Sequence, residues 1–270
     1  MIQLCTIDLD GTLFDNNKNI SIENKKAILE ARKNGCRIVI ASGRPYNGVK
    51  KVLDELELTT EQDYVICYNG AMVFNVKTGT SIFSTTIEGK SVKELYEESK
   101  IMGVNFHAFT KEEKLVTDMH NPYTDVEVRI NKIEDYIVDF SSFQDEDKFI
   151  KCMMVGSDED ITSTLSKLKP SYYDQYSVVR SSKIFLEFLN KTTNKGTALE
   201  ALAKHLGIPM ENTMAIGDAG NDLAMIEKAH IGVAMENSFP EIKKVANYIT
   251  TSNEASGVAK ALNHFVNHKA

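Results

Sequence analysis

The chain has 270 residues, about 1.8 times the roughly 150-residue scale of one domain, so one large domain or two modest ones fit. Hydrophobic residues at 42% and charged residues at 26% exclude wholesale disorder. With 31 Lys+Arg against 38 Asp+Glu, the formal net charge is -7, which excludes a general nucleic-acid binder because such binding is mostly phosphate neutralisation. An anionic ligand must therefore be held by local positive charge or by a metal.

No run approaches the roughly 18 apolar residues that a membrane helix needs, so no membrane partner is expected. Residues 1–8 lack a basic segment and reach a charge at Asp8, which does not read as a signal peptide. Cys5, Cys36, Cys67 and Cys152 form no CxxC pair, and each sits in an apolar, strand-like run. They read as reduced, buried thiols of a cytoplasmic protein.

In chain order, residues 2–7 predict a buried strand followed by a Gly-containing loop. Ser21 is a good N-cap for a helix over 22–34, with Gly35 as its stop. The β-branched run 36–41 predicts a second strand, Pro45 opens a helix to about 56, and 64–67 form a third strand. A hairpin over 71–75 and 80–84 follows. The middle is strand-rich: a helix at 90–102, strands near 104–109 and 114–118, a helix near 131–138, a strand at 149–155, a helix at 158–168, and strands near 176–180 and 184–189. Such a mixture suggests a compact α+β unit. From 196 onward strict alternation returns, with helices at 196–206, 220–228, 239–245 and 255–266 around strands 213–217 and 231–234. The fold class is α/β: residues 1–84 and 189–270 make one doubly wound, mostly parallel core, and 85–188 are an inserted α+β cap.

Four clusters carry chemistry, three of them just past an apolar strand, where open α/β sheets place their ligand crevice. Asp8-Leu9-Asp10-Gly11-Thr12 puts two carboxylates on one side of an extended chain. One can be nucleophile and metal ligand, the other acid and then base. An Asx-type turn is the plainer reading of that segment. Ser42-Gly43-Arg44 offers a hydroxyl and backbone N–H groups at a helix start, a ready anion site. Lys195-Gly196 opens another helix with a cation that can neutralise phosphate. Gly217-Asp218-Ala219-Gly220-Asn221-Asp222 adds two carboxylates; together with a third they suit Mg2+, although carboxylates at a helix start are also good caps.

In that order, the four clusters resemble the haloacid dehalogenase superfamily of phosphotransferases. Ser42-Gly43-Arg44-Pro45, Tyr68-Asn69-Gly70-Ala71 and the long insertion after them resemble its Cof-type branch with a large C2 cap. The segments Arg44–Val49, Asn105–Ala108, Phe185–Leu189, Asn194–Thr197 and Asn247–Thr250 are most similar to the YidA-like sugar phosphatases. The resemblance covers essentially the whole chain.

It implies that Asp8 attacks phosphorus to form an aspartyl-phosphate, while Asp10 protonates the leaving group and then activates water. Mg2+ would be held by the Asp8 carboxylate, the Asp10 carbonyl and Asp218. Ser42, Gly43, Lys195 and Asn221 would hold phosphate, with Thr12 and Asp222 steadying the metal and lysine from behind. A raised Asp10 pKa is expected from neighbouring carboxylates and partial burial. Arg44, Asn69, His107, Lys183 and Glu187 are the candidates for contact with the rest of the substrate. The activity implied is hydrolysis of small sugar phosphates or related phosphorylated metabolites by a monomer or homodimer. A phosphomutase is the alternative within the same chemistry; a phosphoacceptor or metabolite sensor is the alternative outside it.

Overall fold

The strand β1 (Leu4–Ile7) is buried along its whole length, as a strand covered on both faces of a parallel sheet must be. The computed structural model describes residues 1–268. From β1 the chain runs through α1 (Ile22–Lys33), β2 (Arg37–Ala41), α2 (Tyr46–Glu55), β3 (Tyr64–Cys67), β4 (Met72–Asn75) and β5 (Ser81–Ser84). Ser21 caps α1 by accepting a hydrogen bond from the Asn24 N–H.

The insertion contains β6 (Ile87–Glu88), α3 (Gly89–Met102), β7 (Asn105–Thr110), β8 (Leu115–Thr117), α4 (Pro122–Asn131) and β9 (Asp135–Ile137), then β10 (Lys148–Val155), α5 (Asp158–Lys167), α6 (Pro170–Gln175), β11 (Tyr176–Ser182) and β12 (Phe185–Asn190). The chain then forms α7 (Lys195–Leu206), β13 (Thr213–Gly217), α8 (Leu223–Lys228), β14 (Ile231–Ala234), α9 (Pro240–Val245), β15 (Tyr248–Ile249) and α10 (Gly257–Phe265). Among the described residues no helix is long and apolar enough to cross a membrane.

One sheet has the order β15-β14-β13-β1-β2-β3-β4-β5. It is parallel from β15 to β3 and turns antiparallel at β4. Its next strand in sequence, β2, lies on one side of β1, and β13 lies on the other, so the order reverses at β1. The carboxyl ends of β1, β2 and β13 therefore flank a topological switch point. One apolar cluster joins Leu4, Val39, Ile66 and Ala215 of this sheet to Leu199 and Leu202 of α7 and Met225 of α8.

The second sheet has the order β11-β12-β10-β7-β8-β9 and is antiparallel except between β8 and β9. One face packs Phe106, Phe149, Cys152, Met154 and Phe188 against Val92 and Leu95 of α3 and Ile161 of α5. Side chains alternate along a strand, so Lys151 and Met153 of β10 belong to the opposite face.

Contact density divides the chain into two units, Ser84–Thr193 and the remainder. Residues 189–193, expected in the core, belong to the inserted unit because β12 continues to Asn190. No helix spans 131–138; the helix lies earlier, at α4. Asn121 caps it by accepting hydrogen bonds from the N–H groups of Tyr123 and Thr124, with Pro122 in its first turn.

The connection from β3 to β4 reverses through three successive residues in the left-handed region, Tyr68 (φ 54°), Asn69 (φ 55°) and Gly70 (φ 99°). A Cβ on Gly70 would lie 2.3 Å from the Asn194 carbonyl oxygen. The expected cost of Gly70→Ala is above about 2 kcal/mol in urea unfolding, since a backbone clash adds to strain. Gly79→Ala, with φ 68° but open space around it, should cost only about 1 kcal/mol.

Candidate active site

Asp8 directly follows β1 and is buried, its N–H donating to the Ile216 carbonyl of β13 at 3.0 Å. Lys195, the first residue of α7, is fully buried, and its Nζ donates to Asp8 Oδ1 and to Asp222 Oδ1, each at 2.6 Å. Asp222 Oδ2 accepts from the N–H groups of Asp218 (2.9 Å) and Ala219 (3.0 Å), so this side chain braces the turn after β13 as well as the lysine. Thr12 Oγ1 donates to Asp218 Oδ1 at 2.8 Å. Close packing makes this convergence possible: a Cβ on Gly196 would meet the Ala224 carbonyl oxygen at 2.3 Å, and one on Gly217 would meet Asp222 Cβ at 2.5 Å.

Oxygens of Asp8, Asp218 and Asp222 lie within 4.8 Å of one another. Burial, reinforced by Asp222, pushes the Asp8 carboxyl up to about 8 even though Lys195 opposes the shift. Burial and the Asp222 charge likewise push Asp218 up to about 6 against the Thr12 hydrogen bond. Burial works against the Lys195 charge, but Asp222 and Asp8 outweigh it and hold that ammonium well above its ordinary range. Three carboxylates thus face one ammonium, a local excess of negative charge. Among the described residues neither Asp8 Oδ2 nor Asp218 Oδ2 accepts a hydrogen bond. An all-oxygen donor set with uncompensated charge fits a hard divalent cation such as Mg2+.

Asp10 corrects the sequence expectation. Its carboxylate turns to Lys18 Nζ (2.7 Å) and to the Arg44 guanidinium (2.9 Å). Burial acts to raise its pKa, but the Lys18 hydrogen bond and the charges of Arg44 and Lys18 prevail and hold it below the usual value. Lys18 has φ 62° at the tip of a turn in which Asp15 Oδ1 accepts from the N–H groups of Asn17 and Asn19. Sequence reasoning missed Lys18, whose position carries no motif signal.

Ser42, Gly43, Asn69 and Asn221 come together. The Ser42 carbonyl accepts from the Asn69 N–H at 3.1 Å, and Ser42 Oγ accepts from the Arg44 N–H at 3.2 Å. Asn221 Nδ2 donates to Asn69 Oδ1 at 3.0 Å, and a Cβ on Gly43 would lie 3.0 Å from that same oxygen. Within the inserted unit, His107 and Glu187 both pair with Met153 across the sheet. His107 is wholly buried, bonded to Thr124 Oγ1 and Met153 Sδ, and burial with the Lys151 charge pushes its pKa down to about 3. Lys183 stands apart, 84% exposed in the β11–β12 turn. Lys151 was also missed, although a charge within the apolar run Phe149–Val155 was a legible signal.

The haloacid dehalogenase-like hydrolase family matches residues 5–262. The chain belongs to that family. A candidate phosphatase of Streptococcus pyogenes, M6_Spy0533, is 37% identical, with 98% of each chain covered. A haloacid dehalogenase-like hydrolase from Bacteroides thetaiotaomicron superposes with a TM-score of 0.84 at 31% identity, covering 98% of this chain and 99% of its own. The subclass IIB sugar phosphatase BT4131 superposes with a TM-score of 0.77 at 25% identity, covering 97% and 98%. The protein is thus an enzyme of the haloacid dehalogenase phosphatase type.

The raised carboxyls set a pH dependence. Each favours folding while protonated, and that contribution is lost as pH rises through about 6 for Asp218 and about 8 for Asp8. The Lys195 contribution stays present throughout this window, because its folded value is also raised. In EDTA, Asp218→Asn is therefore expected to melt above wild type at pH 8, with the difference shrinking at pH 5. Millimolar Mg2+ at pH 8 should reverse the order by stabilising wild type. Melting curves at the two pH values check this.

Proposed function

We propose that the protein is a Mg2+-dependent phosphomonoester hydrolase of small phosphorylated metabolites, working through an aspartyl-phosphate on Asp8. The observation that carries this reading is the buried Lys195 ammonium between Asp8 and Asp222, beside an Asp218 carboxyl that shares the excess negative charge. A phosphoester is anionic, so a carboxylate can attack it only where cations offset the repulsion.

Asp8, the Asp10 carbonyl and Asp218 would hold the ion. When bound, it would act as a Lewis acid on phosphoryl oxygens and neutralise charge. Lys195 neutralises one oxygen of Asp8 and contacts the transferring group. Ser42, the Gly43 backbone and Asn221 donate to its other oxygens. Asp8 forms the new bond to phosphorus as the bond to the leaving oxygen breaks, and Asp10, which takes up a proton from solvent once released from Lys18 and Arg44, gives that proton to the leaving oxygen. Asp10 then takes a proton from water, the water oxygen attacks phosphorus, and Asp8 departs as a free carboxylate with release of phosphate. Asp10 must exchange Lys18 and Arg44 for the leaving group during this cycle. Thr12 and Asp222 act by holding Asp218 and Lys195 in place, and Arg44 and Asn69 contact the substrate from the core unit. Buried cysteine thiols suit a reducing cytoplasm.

Phosphate release from p-nitrophenyl phosphate and about a hundred metabolites, with and without Mg2+, tests the proposal. Asp8→Asn should lose essentially all turnover, since it lacks the nucleophile. Asp218→Ala should lose at least about a hundredfold and recover partly at high Mg2+. Near-wild-type turnover by Asp8→Asn would sink the mechanism.

A further inference from the structure

The loop at 235–239, between β14 and α9, grips two separate parts of the core site. The Met235 N–H and Ser238 Oγ donate to the Gly217 carbonyl at 3.2 and 3.3 Å, and the Phe239 N–H donates to the Asp218 carbonyl at 3.2 Å. These bonds hold the turn that carries Asp218. From the same loop, Asn237 Nδ2 donates to the Gly11 carbonyl at 2.8 Å. Asn237 Oδ1 in turn accepts from the Asn253 N–H at 3.0 Å, and Asn253 Nδ2 donates to the Phe14 carbonyl at 2.9 Å. Asn253 is buried, whereas Asn237 is exposed.

Gly11 is the residue that needs such a hold. A Cβ there would lie 2.4 Å from Asp218 Oδ2, and its φ is 87°, so glycine is required on both counts. Glycine leaves the peptide planes on either side of it unusually free to turn. One of those planes carries the Asp10 carbonyl, the group placed on the cation above. A side-chain ligand can adjust by rotating about its own bonds, but a carbonyl ligand is placed only by its backbone. The Asn237 amide restrains the next carbonyl along, that of Gly11, and so narrows the freedom of the Asp10–Gly11 peptide. Fold stability does not account for this asparagine, because substitutions at exposed positions usually change stability little.

We propose that Asn237 is a positioning residue for the divalent cation: by tying Gly11 to the loop that also holds the Asp218 turn, it keeps the Asp10 carbonyl and the Asp218 carboxylate in register as ligands. Asn253 steadies Asn237 from behind. The proposal rests on the phosphatase reading above and adds to it a residue outside the four sequence clusters, one that acts through Gly11 rather than as a ligand.

Isothermal titration of the full chain with Mg2+, in the absence of substrate, is the test. Asn237→Ala should weaken Mg2+ binding by about tenfold, the lower end of the effect of removing a partner behind a metal ligand. Asn237→Ser, which stays polar but is too short to reach Gly11, should match it. Both variants should melt in EDTA within about 3 °C of wild type. With p-nitrophenyl phosphate the loss should appear as a higher Mg2+ concentration at half-maximal rate, while kcat at saturating Mg2+ stays within about twofold of wild type. Asn75→Ala is the structural control. Asn75 is buried, donates to the Glu61 carbonyl and accepts from the Thr78 N–H, so its loss should lower the melting temperature and leave Mg2+ affinity unchanged. Wild-type Mg2+ affinity in both Asn237 variants, with or without a fall in melting temperature, would overturn the proposal. An equal loss of affinity in Asn75→Ala would overturn it too, by marking a general consequence of destabilisation. If wild type binds Mg2+ and hydrolyses phosphoesters while the Asn237 variants bind as tightly, only this proposal falls. If wild type binds Mg2+ but hydrolyses none of them, the phosphatase reading falls and the titrations alone decide the role of Asn237. No Mg2+ binding by wild type overturns both.

Discussion

The buried ammonium of Lys195, held at 2.6 Å from both Asp8 and Asp222, is the interaction around which the core unit is organised. It ties the end of β1 to the start of α7 and to the turn after β13, three segments far apart in sequence. Without it, carboxylates within 4.8 Å of each other would stand in a dry site with no cation among their own side chains. Even with it, Asp8 and Asp218 are shifted upward. The site is therefore arranged for a charge the protein does not itself supply, and strain of this kind is common where chemistry is done. The glycines at 196 and 217 serve the same end, since a side chain at either would force apart the backbone that delivers the lysine and its carboxylate.

Asp8 and Asp10 are two residues apart but live in different electrostatic surroundings. Asp8 is enclosed with acids, whereas Asp10 is half exposed and faces Lys18 and Arg44. Ion pairs at that exposure contribute within about 1 kcal/mol each. They set the resting direction of the Asp10 side chain and are weak enough to be exchanged for other partners. The same two carboxylates can thus take different roles because the loop at 15–19 and the β2–α2 turn treat them differently.

The inserted unit repeats the theme in another form. Its sheet has one conventional apolar face and one face carrying Lys151, Glu187 and His107. The neutral imidazole of His107 adds no charge there, because burial and Lys151 both disfavour its protonation. The helix that supplies Glu127 is capped by the Asn121 side chain.

Local sequence determined the parallel core, its crossovers and the placement of Asp8, Ser42, Lys195 and Asp218 beside strand ends or helix starts, because apolar period, caps and glycines act over a few residues. The Asn-Pro start of α4 is likewise local, because the Asn121 side chain and the Pro122 ring act within the first turn. Tertiary structure decided the surroundings of Asp10, since Lys18 and Arg44 reach it from separate turns and lower its pKa where a raised one was expected. It also decided that Glu187 and His107 share a sheet face with Lys151 while Lys183 does not. The physical reason is that alternation along a strand assigns residues to faces, but which strands become neighbours is chosen only when non-local packing sets the sheet order and brings distant charges within a few ångströms.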